Sequence, residues 1–286
     1  MNLRIDLAYD GAPFRGFARQ PDVRTVQGDL EDALSKIFHG DVATVAAGRT
    51  DARVHALGQV VSTRDAPDDI DLIKLRDSLN GMLSPHVSVT QCTKAAGDFH
   101  ARHSARSRTY VYAVLEGEIP DPFLARTSLN HPEPLDLEAM NEAAGHLVGA
   151  HDFSSFGRVT DPNASAERVV YELRGTKQGR ILRIRARANG FLQQMVRSLV
   201  GTLIQVGEGK RDPGEMVEIL DAGDRSAAGP VAPPHGLCLV SVEYDDGWSG
   251  APDPARDSPV AGAENAGYPA LSPEDDPSSG RDRGSI

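Results

Sequence analysis

The segment VATVAAGRTDARVHALGQVVS, residues 42–62, consists of two apolar stretches that flank a polar loop with a single aspartate, Asp51. Both stretches have β-strand character, so the loop between them can hold one carboxylate in a fixed place. Arg49 and Arg53 stand two residues before and after Asp51, and His55 stands four after it. A carboxylate among fixed cations is expected to be ionised and directed, which suits a nucleophile. Taken alone, the segment favours a simple surface Asp–Arg pair, because such pairs are common and contribute little.

Strand-like and helix-like segments follow one another through the first hundred residues in the order β-α-β-β-α-β, which is typical of an α+β protein. The patterns predict strands over residues 2–8, 42–46, 55–62 and 87–93. They also predict helices over residues 25–38 and 70–79. Thr25 is the expected N-cap of the first helix.

A second block of elements repeats this plan without visible repetition of sequence. Its strands are predicted over residues 109–116, 168–176, 181–188 and 237–244. Its helices are predicted over residues 135–148, 191–206 and 213–222. A hinge near residues 100–108 would divide the chain into two α+β halves, residues 1–104 and 105–246.

The amino-acid composition is that of a globular protein with an unusual balance of charges. The chain has 286 residues and a net charge of −11, of which residues 245–286 carry −6 through nine acidic and three basic residues. We predict that residues 247–286 form a disordered acidic tail, because their Pro, Gly, Ser and Asp cannot bury enough apolar surface to offset chain entropy. Only five of the thirty basic residues are Lys. This halophile-like composition suggests a high-salt cytoplasm, where the sequence-independent phosphate contribution to RNA binding is weak.

No run of apolar residues is long enough to span a bilayer, and residues 1–9 alternate like a strand without the apolar core of a signal peptide. We therefore expect a cytoplasmic protein with no membrane partner. Cys92 and Cys238 lie far apart in apolar, strand-like contexts. Two buried thiols are expected there rather than a disulfide.

Arg197 borders a wide apolar stripe on the helix predicted around residues 191–206. A largely buried guanidinium needs an anionic partner, because an unpaired buried charge is very costly. Asp51 is a candidate for that partner. Extension of the side chain to water, or a pair with a structural acid, is equally compatible with the pattern.

Two further clusters of arginine could contact RNA. In strand 181–188 three arginines fall on one face, which is either a solvated face or a stripe that follows phosphates. The second cluster could combine charge with an aromatic stacking surface, although tyrosines in strands more often belong to the core. Its members are Arg102, Arg106, Arg108, Tyr110 and Tyr112.

Other chemistries find little support in the sequence. The run Gly207 to Lys210 lacks the spacing of a phosphate-binding loop, and His100 and His103 lack the set of carboxylate or thiol partners that a metal site needs. No serine or cysteine has the context of a nucleophile elbow. By elimination, chemistry from one aspartate without metal or cofactor is the natural enzyme hypothesis.

Taken together, six ordered motifs resemble the TruA family of tRNA pseudouridine synthases. They cover about residues 1–246 and read GRTDARVHALGQVV (48–61), DGAPFRGFARQ with TVQGDLEDAL (10–34), FHARHSARSRTYVY (99–112), GAHDFSSF (149–156), FLQQMVRSLVG (191–201) and GLCLVSVEY (236–244). The resemblance implies isomerisation of uridine to pseudouridine at positions 38, 39 and 40 of the tRNA anticodon stem-loop. It also implies a homodimer, and two α+β halves whose antiparallel sheets join, with the active-site cleft between them.

The resemblance assigns roles to individual residues. It makes Asp51 the catalytic residue, Arg197 its ion-pair partner and Tyr110 an active-site residue. Arg49 would fill the space left by the flipped base, and the basic segment places Arg102 among the substrate-binding residues. No cofactor is expected, since the reaction neither adds nor removes atoms.

The sequence departs from the family pattern in two places. Arg53 stands where the family usually has a small Gly, and if that position needs a positive φ, Arg53 is strained by about 1 kcal/mol or more. Phe17-Ala18 replaces a Trp-Gln pair. Two other functions compete with the enzyme: a non-catalytic RNA-binding or tRNA-folding protein, and, more weakly, a metal-dependent hydrolase.

Overall fold

The structure is a computed structural model that describes residues 1–159 and 165–245. The tail predicted to be disordered, residues 247–286, lies outside the described residues. Among the described helices, none is long and apolar enough to cross a membrane.

In the described part of the chain, ten strands form one mixed, mostly antiparallel sheet in the order β4-β1-β3-β10-β5-β9-β8-β7, with β2 paired to β3 and β6 paired to β5. Only the β3–β10 and β5–β6 pairs are parallel within the described residues. The strands are β1 Leu3–Tyr9, β2 Val45–Ala46, β3 His55–Thr63, β4 Val87–Lys94, β5 Ser107–Glu116, β6 Leu129–His131, β7 Gly149–Asp152, β8 Glu167–Gln178, β9 Ile181–Ala188 and β10 Leu237–Glu243.

Five α-helices accompany the sheet in the described part of the chain. They are α1 Val26–Phe38, α2 Leu72–Leu83, α3 Leu137–Gly145, α4 Met195–Gly207 and α5 Glu215–Ala222. Thr25 caps α1 as predicted, since its side chain accepts a hydrogen bond from the Gly28 N–H. The α+β fold class is confirmed.

Two boundaries differ from the prediction for identifiable reasons. The helix around Arg197 starts at Met195, not at residue 191, because Gln194 adopts a left-handed conformation with φ 63°. The strand predicted over residues 42–46 shrinks to β2, because the N–H groups of Ala43 and Thr44 donate to the Asp65 and Glu31 carboxylates. The short strands β6 and β7 were not predicted.

Strand β10 joins the two ends of the sheet. Strands from residues 1–104 form one end and strands from residues 105–245 form the other, while the boundary between the two predicted halves remains a prediction. Leu239 of β10 is paired with Ala56 on one side and with Tyr110 on the other. This register sets the start of β3, just after the Asp51 loop, beside the strand that carries Tyr110.

The β3–β10 join requires a glycine. A β-carbon on Gly58 would overlap the carbonyl oxygen of Val240, so the two strands approach more closely there than any side chain allows. A contiguous hydrophobic core contains residues from both predicted halves, including Leu3, Ile5, Tyr112, Ile184 and Leu199.

Replacing Gly58 with Ala should therefore destabilise the protein by about 1–3 kcal/mol, as overpacking does. Gly81→Ala is the matched control, since Gly81 lies within α2 and a β-carbon there meets nothing within 4 Å. Alanine there should be neutral or stabilising. Urea unfolding of the two variants measures both effects, and equal stabilities would contradict this account of the join.

Candidate active site

The loop that carries Asp51 is held by the segment at residues 10–17. Phe17 donates its N–H to the Thr50 carbonyl at 3.0 Å, and the Arg53 N–H donates to the Phe14 carbonyl at 3.3 Å. Gly16 has φ +110°, and a β-carbon on it would lie 3.2 Å from the Thr50 carbonyl oxygen. The two backbones thus pack directly against each other, which leaves the loop little freedom.

A buried polar network supports the same loop from below. The Tyr9 hydroxyl lies 2.8 Å from Thr50 Oγ1. Gln59 Nε2 donates to the Tyr9 hydroxyl at 3.3 Å and to the Gly48 carbonyl at 2.8 Å. Burial raises the pKa of Tyr9, so its hydroxyl stays neutral; since it accepts from Gln59, its proton is available to Thr50.

Arg197 binds Asp51 across 146 residues of sequence. Its Nη1 donates to Asp51 Oδ2 at 2.9 Å, and the side chains of Arg197 and Asp51 are only 13% and 25% exposed. Of the alternatives that the sequence left open for Arg197, the structure thus shows the pair with Asp51.

Arg197 is itself fixed by the chain segment that leads into β10. Its Nε donates to the Ala232 carbonyl at 2.7 Å, and the Ala232 N–H donates to the Arg197 carbonyl at 3.0 Å. This contact needs Gly201, one turn further along α4, because a β-carbon there would overlap the Pro230 carbonyl oxygen. These contacts therefore fix the orientation of the Arg197 guanidinium toward Asp51.

Tyr110 lies beside the Asp51 loop. A β-carbon on Gly48 would lie 3.6 Å from the Tyr110 hydroxyl oxygen, and the Tyr110 ring meets Phe191 edge-on at 5.3 Å. Burial, and to a smaller extent the Asp51 charge, raises the pKa of Tyr110, while Arg108 opposes the shift. The hydroxyl is therefore protonated at neutral pH and can donate a hydrogen bond.

Arg108 is a structural residue that the sequence reasoning misassigned. It is buried, and its guanidinium donates to four backbone carbonyls within the described chain, those of Ala47, Arg102, Ala105 and Asn189. Ala47 precedes the Asp51 loop, and Asn189 precedes the turn into α4. Arg108 thus ties the loop and that turn to the strand that carries Tyr110.

The basic stacking surface predicted around Arg108 does not form. Tyr110 is 7% exposed, and Tyr112 is fully buried and donates to the Pro233 carbonyl. Arg106 is paired with Asp245. Strand alternation hides these tyrosines in the core, so only Arg102 of that cluster is exposed without a side-chain partner in residues 1–159 and 165–245.

Comparisons with known proteins point in one direction. A sequence model of the family described as tRNA pseudouridine synthase matches residues 143–245. The tRNA pseudouridine synthase A of Brevibacillus brevis is 42% identical over 242 residues, which cover 85% of this chain and 99% of that protein. The protein of the same name from Frankia casuarinae is 43% identical over 247 residues, 85% of this chain and 89% of its own length.

This chain belongs to the TruA family of tRNA pseudouridine synthases. A chain of the solved Cbf5-Nop10-Gar1 complex is also similar over 71% of this chain and 54% of its own, at 12% identity. Its TM-score is 0.29, a likeness too slight to bear on the fold.

The three arginines of β9 do not form a free cationic stripe in this family member. Arg185 is paired with Glu172 at 3.1 Å, and Arg187 lies 3.6 Å from Glu243. Arg183 lies 3.4 Å from the Gln178 side-chain oxygen. The solvated, paired face fits these contacts better than a row of phosphate ligands.

The histidines and cysteines have structural environments. Among the described residues no group of three or more His, Cys, Asp or Glu could hold a metal ion. His100 and His103 stack on each other with ring centroids 4.3 Å apart. Cys92 and Cys238 are free and buried as predicted, and burial raises the pKa of each thiol to about 12.

His55 links three segments at the edge of the Asp51 loop, a role that sequence spacing did not reveal. Its Nδ1 accepts the Gly11 N–H at 3.1 Å, and its Nε2 lies 2.9 Å from the Arg126 carbonyl, to which it donates. Burial lowers the pKa of His55, although Asp10 opposes the shift. The ring is therefore neutral in the folded protein.

This neutral ring should make stability depend on pH. Below about pH 6.5 an unfolded histidine takes up a proton that folded His55 resists, so the free energy of unfolding should fall as pH decreases from 7 to 5.5. His55→Gln removes this titration and should lose less stability over the same interval, as measured by urea unfolding at both pH values. His235, whose pKa burial also lowers, titrates in both proteins and contributes to the pH dependence of each. An identical pH dependence in both proteins would refute the assignment.

Proposed function

We propose that this protein isomerises uridine to pseudouridine at positions 38, 39 and 40 of the tRNA anticodon stem-loop, with Asp51 as the catalytic residue. The observation that carries the proposal is the Arg197–Asp51 ion pair at 2.9 Å, built from two motifs of the family that lie 146 residues apart in sequence. The relatives are named tRNA pseudouridine synthase A, and this name supplies the substrate and the reaction of the proposal.

The geometry of Asp51 suits a group that attacks or takes a proton. Arg197 holds Oδ2, while Oδ1 makes no hydrogen bond within the described residues and is available to substrate. The reaction breaks the N1–C1′ bond, turns the uracil and joins C5 to C1′, with the C5 proton lost and N1 protonated. Atoms and electrons balance without an oxidant, a reductant or a cofactor.

A uridine in a base-paired stem must leave the stack before Asp51 can reach it. Arg49 is exposed two residues before Asp51, and its side chain has no partner in the described chain. We propose that the Arg49 side chain fills the space that the flipped base leaves. Arg102 is assigned a contact with the RNA.

We assign to the Tyr110 hydroxyl a hydrogen bond to the uracil. Only 7% of the residue is exposed, so little of the ring face remains for stacking on a base. The raised pKa keeps the hydroxyl protonated beside the Asp51 loop, which makes it a hydrogen-bond donor to the base. The homodimer implied by the family resemblance and the cytoplasmic location expected from the sequence are part of the same proposal, and light scattering on the purified protein tests the stoichiometry.

Pseudouridine mapping on unmodified tRNA tests the function directly. Wild type, in high-salt buffer without added metal or nucleotide, should form pseudouridine at positions 38–40, and Asp51→Asn should slow the reaction by about 10³-fold or more. Asp77→Asn, an exposed carboxylate on α2, is the control and should react like wild type. Binding of tRNA by Asp51→Asn should remain close to that of wild type.

Two outcomes would contradict the proposal, one its function and the other its catalytic residue. Wild type that binds tRNA but forms no pseudouridine would support a non-catalytic RNA-binding protein. Wild type that is active while Asp51→Asn retains full rate would keep the reaction but remove Asp51 from its mechanism.

A further inference from the structure

Arg53 occupies a backbone conformation that favours glycine. Its φ is +68°, in the left-handed region, and it lies in the turn that the Val54 N–H closes on the Asp51 carbonyl at 3.2 Å. The family pattern usually has Gly here, which adopts this conformation without strain. Arginine is therefore a less stable choice for the fold than the residue it replaces.

No side-chain contact in the described structure offsets the backbone strain at Arg53. The Arg53 side chain is exposed, and its guanidinium makes no hydrogen bond or ion pair within residues 1–159 and 165–245. Three other surface arginines, Arg19, Arg24 and Arg76, each bind a neighbouring carboxylate, whereas Arg53, like Arg49 in the same loop, binds none within the described residues. A strained, unpaired cation two residues from Asp51 calls for an explanation outside the folded chain.

The charge of Arg53 acts on two histidines near the Asp51 loop. Besides burial, Arg53 contributes to lowering the pKa of both His55 and His235, and Arg197 also acts on His235. His235 follows Ala232, the residue that binds Arg197, by three positions. The exposed Arg53 side chain therefore belongs to the same loop as Asp51 and lies near His55, which binds Gly11 and Arg126 at the edge of that loop.

We propose that Arg53 binds a backbone phosphate of the tRNA next to the uridine that reaches Asp51. The inference rests on the proposed function and adds a substrate contact to it. A guanidinium without an acidic partner matches a phosphodiester in charge and hydrogen-bond geometry. In a chain with net charge −11, such a cation has particular value at the site where RNA enters.

Arg53→Gly separates this role from a structural one, because the two predict opposite signs. Glycine removes the strain, so the thermal unfolding midpoint should rise or stay unchanged. The KM for tRNA should rise about tenfold, with kcat nearly constant, since a charged hydrogen bond to substrate is lost. The slope of log Kd for tRNA against log salt concentration should decrease in magnitude by about 1.

Arg76→Ala is the matched control, since Arg76 is an exposed arginine on α2 whose charge should not matter to tRNA. Binding is also measured in Asp51→Asn with and without Arg53→Gly, so the phosphate contact is tested even if wild type forms no pseudouridine. An unchanged Kd and salt slope in Arg53→Gly would overturn the inference. So would a loss of binding matched by Arg76→Ala, or a lower unfolding midpoint together with lower kcat.

Discussion

The ion pair between Asp51 and Arg197 is the contact on which the arrangement of the site depends. It joins the loop before β3 to the first turn of α4, and Arg197 is bound in turn to Ala232 in the segment that leads to β10. Strand β10 lies between β3 and β5 in the sheet. The Asp51 loop, helix α4 and the strand that carries Tyr110 are therefore held in fixed positions relative to one another. The Arg197 side chain is only 13% exposed and borders the apolar face of its helix. Its charge can be buried there because the Asp51 carboxylate balances it.

The proposed isomerisation depends more on how the site residues are positioned than on the number of reactive groups. Asp51 offers one restrained and one open carboxylate oxygen, and Tyr110 stays protonated beside it. Arg49 and Arg53 extend into solvent on either side of Asp51 within the same loop. An isomerisation that keeps every atom of its substrate can proceed in such a site, where the protein supplies orientation and charge. Membership of the TruA family and this geometry therefore both support the proposed isomerisation of uridine.

Sequence patterns predicted the α+β class and most elements, because amphipathic periodicity reflects burial on one face. They missed β6 and β7, which are too short for a periodic signal, and overran the start of α4, where Gln194 turns the chain. The Asp51–Arg197 pair was a candidate because a buried charge needs a partner. Arg108 was misassigned, since sequence does not show that backbone carbonyls surround a guanidinium. The positive φ of Arg53 meets the condition under which strain was expected at this position.

A double-mutant cycle on Asp51 and Arg197 tests the central claim most directly. Urea unfolding of Asp51→Ala, Arg197→Ala and the double variant gives the coupling energy between the two side chains. The structure predicts a favourable coupling of about 1 kcal/mol or more, with the double variant less destabilised than the sum of the single variants. Additive effects would show that the two residues act independently, and would contradict the account of a site built on their ion pair.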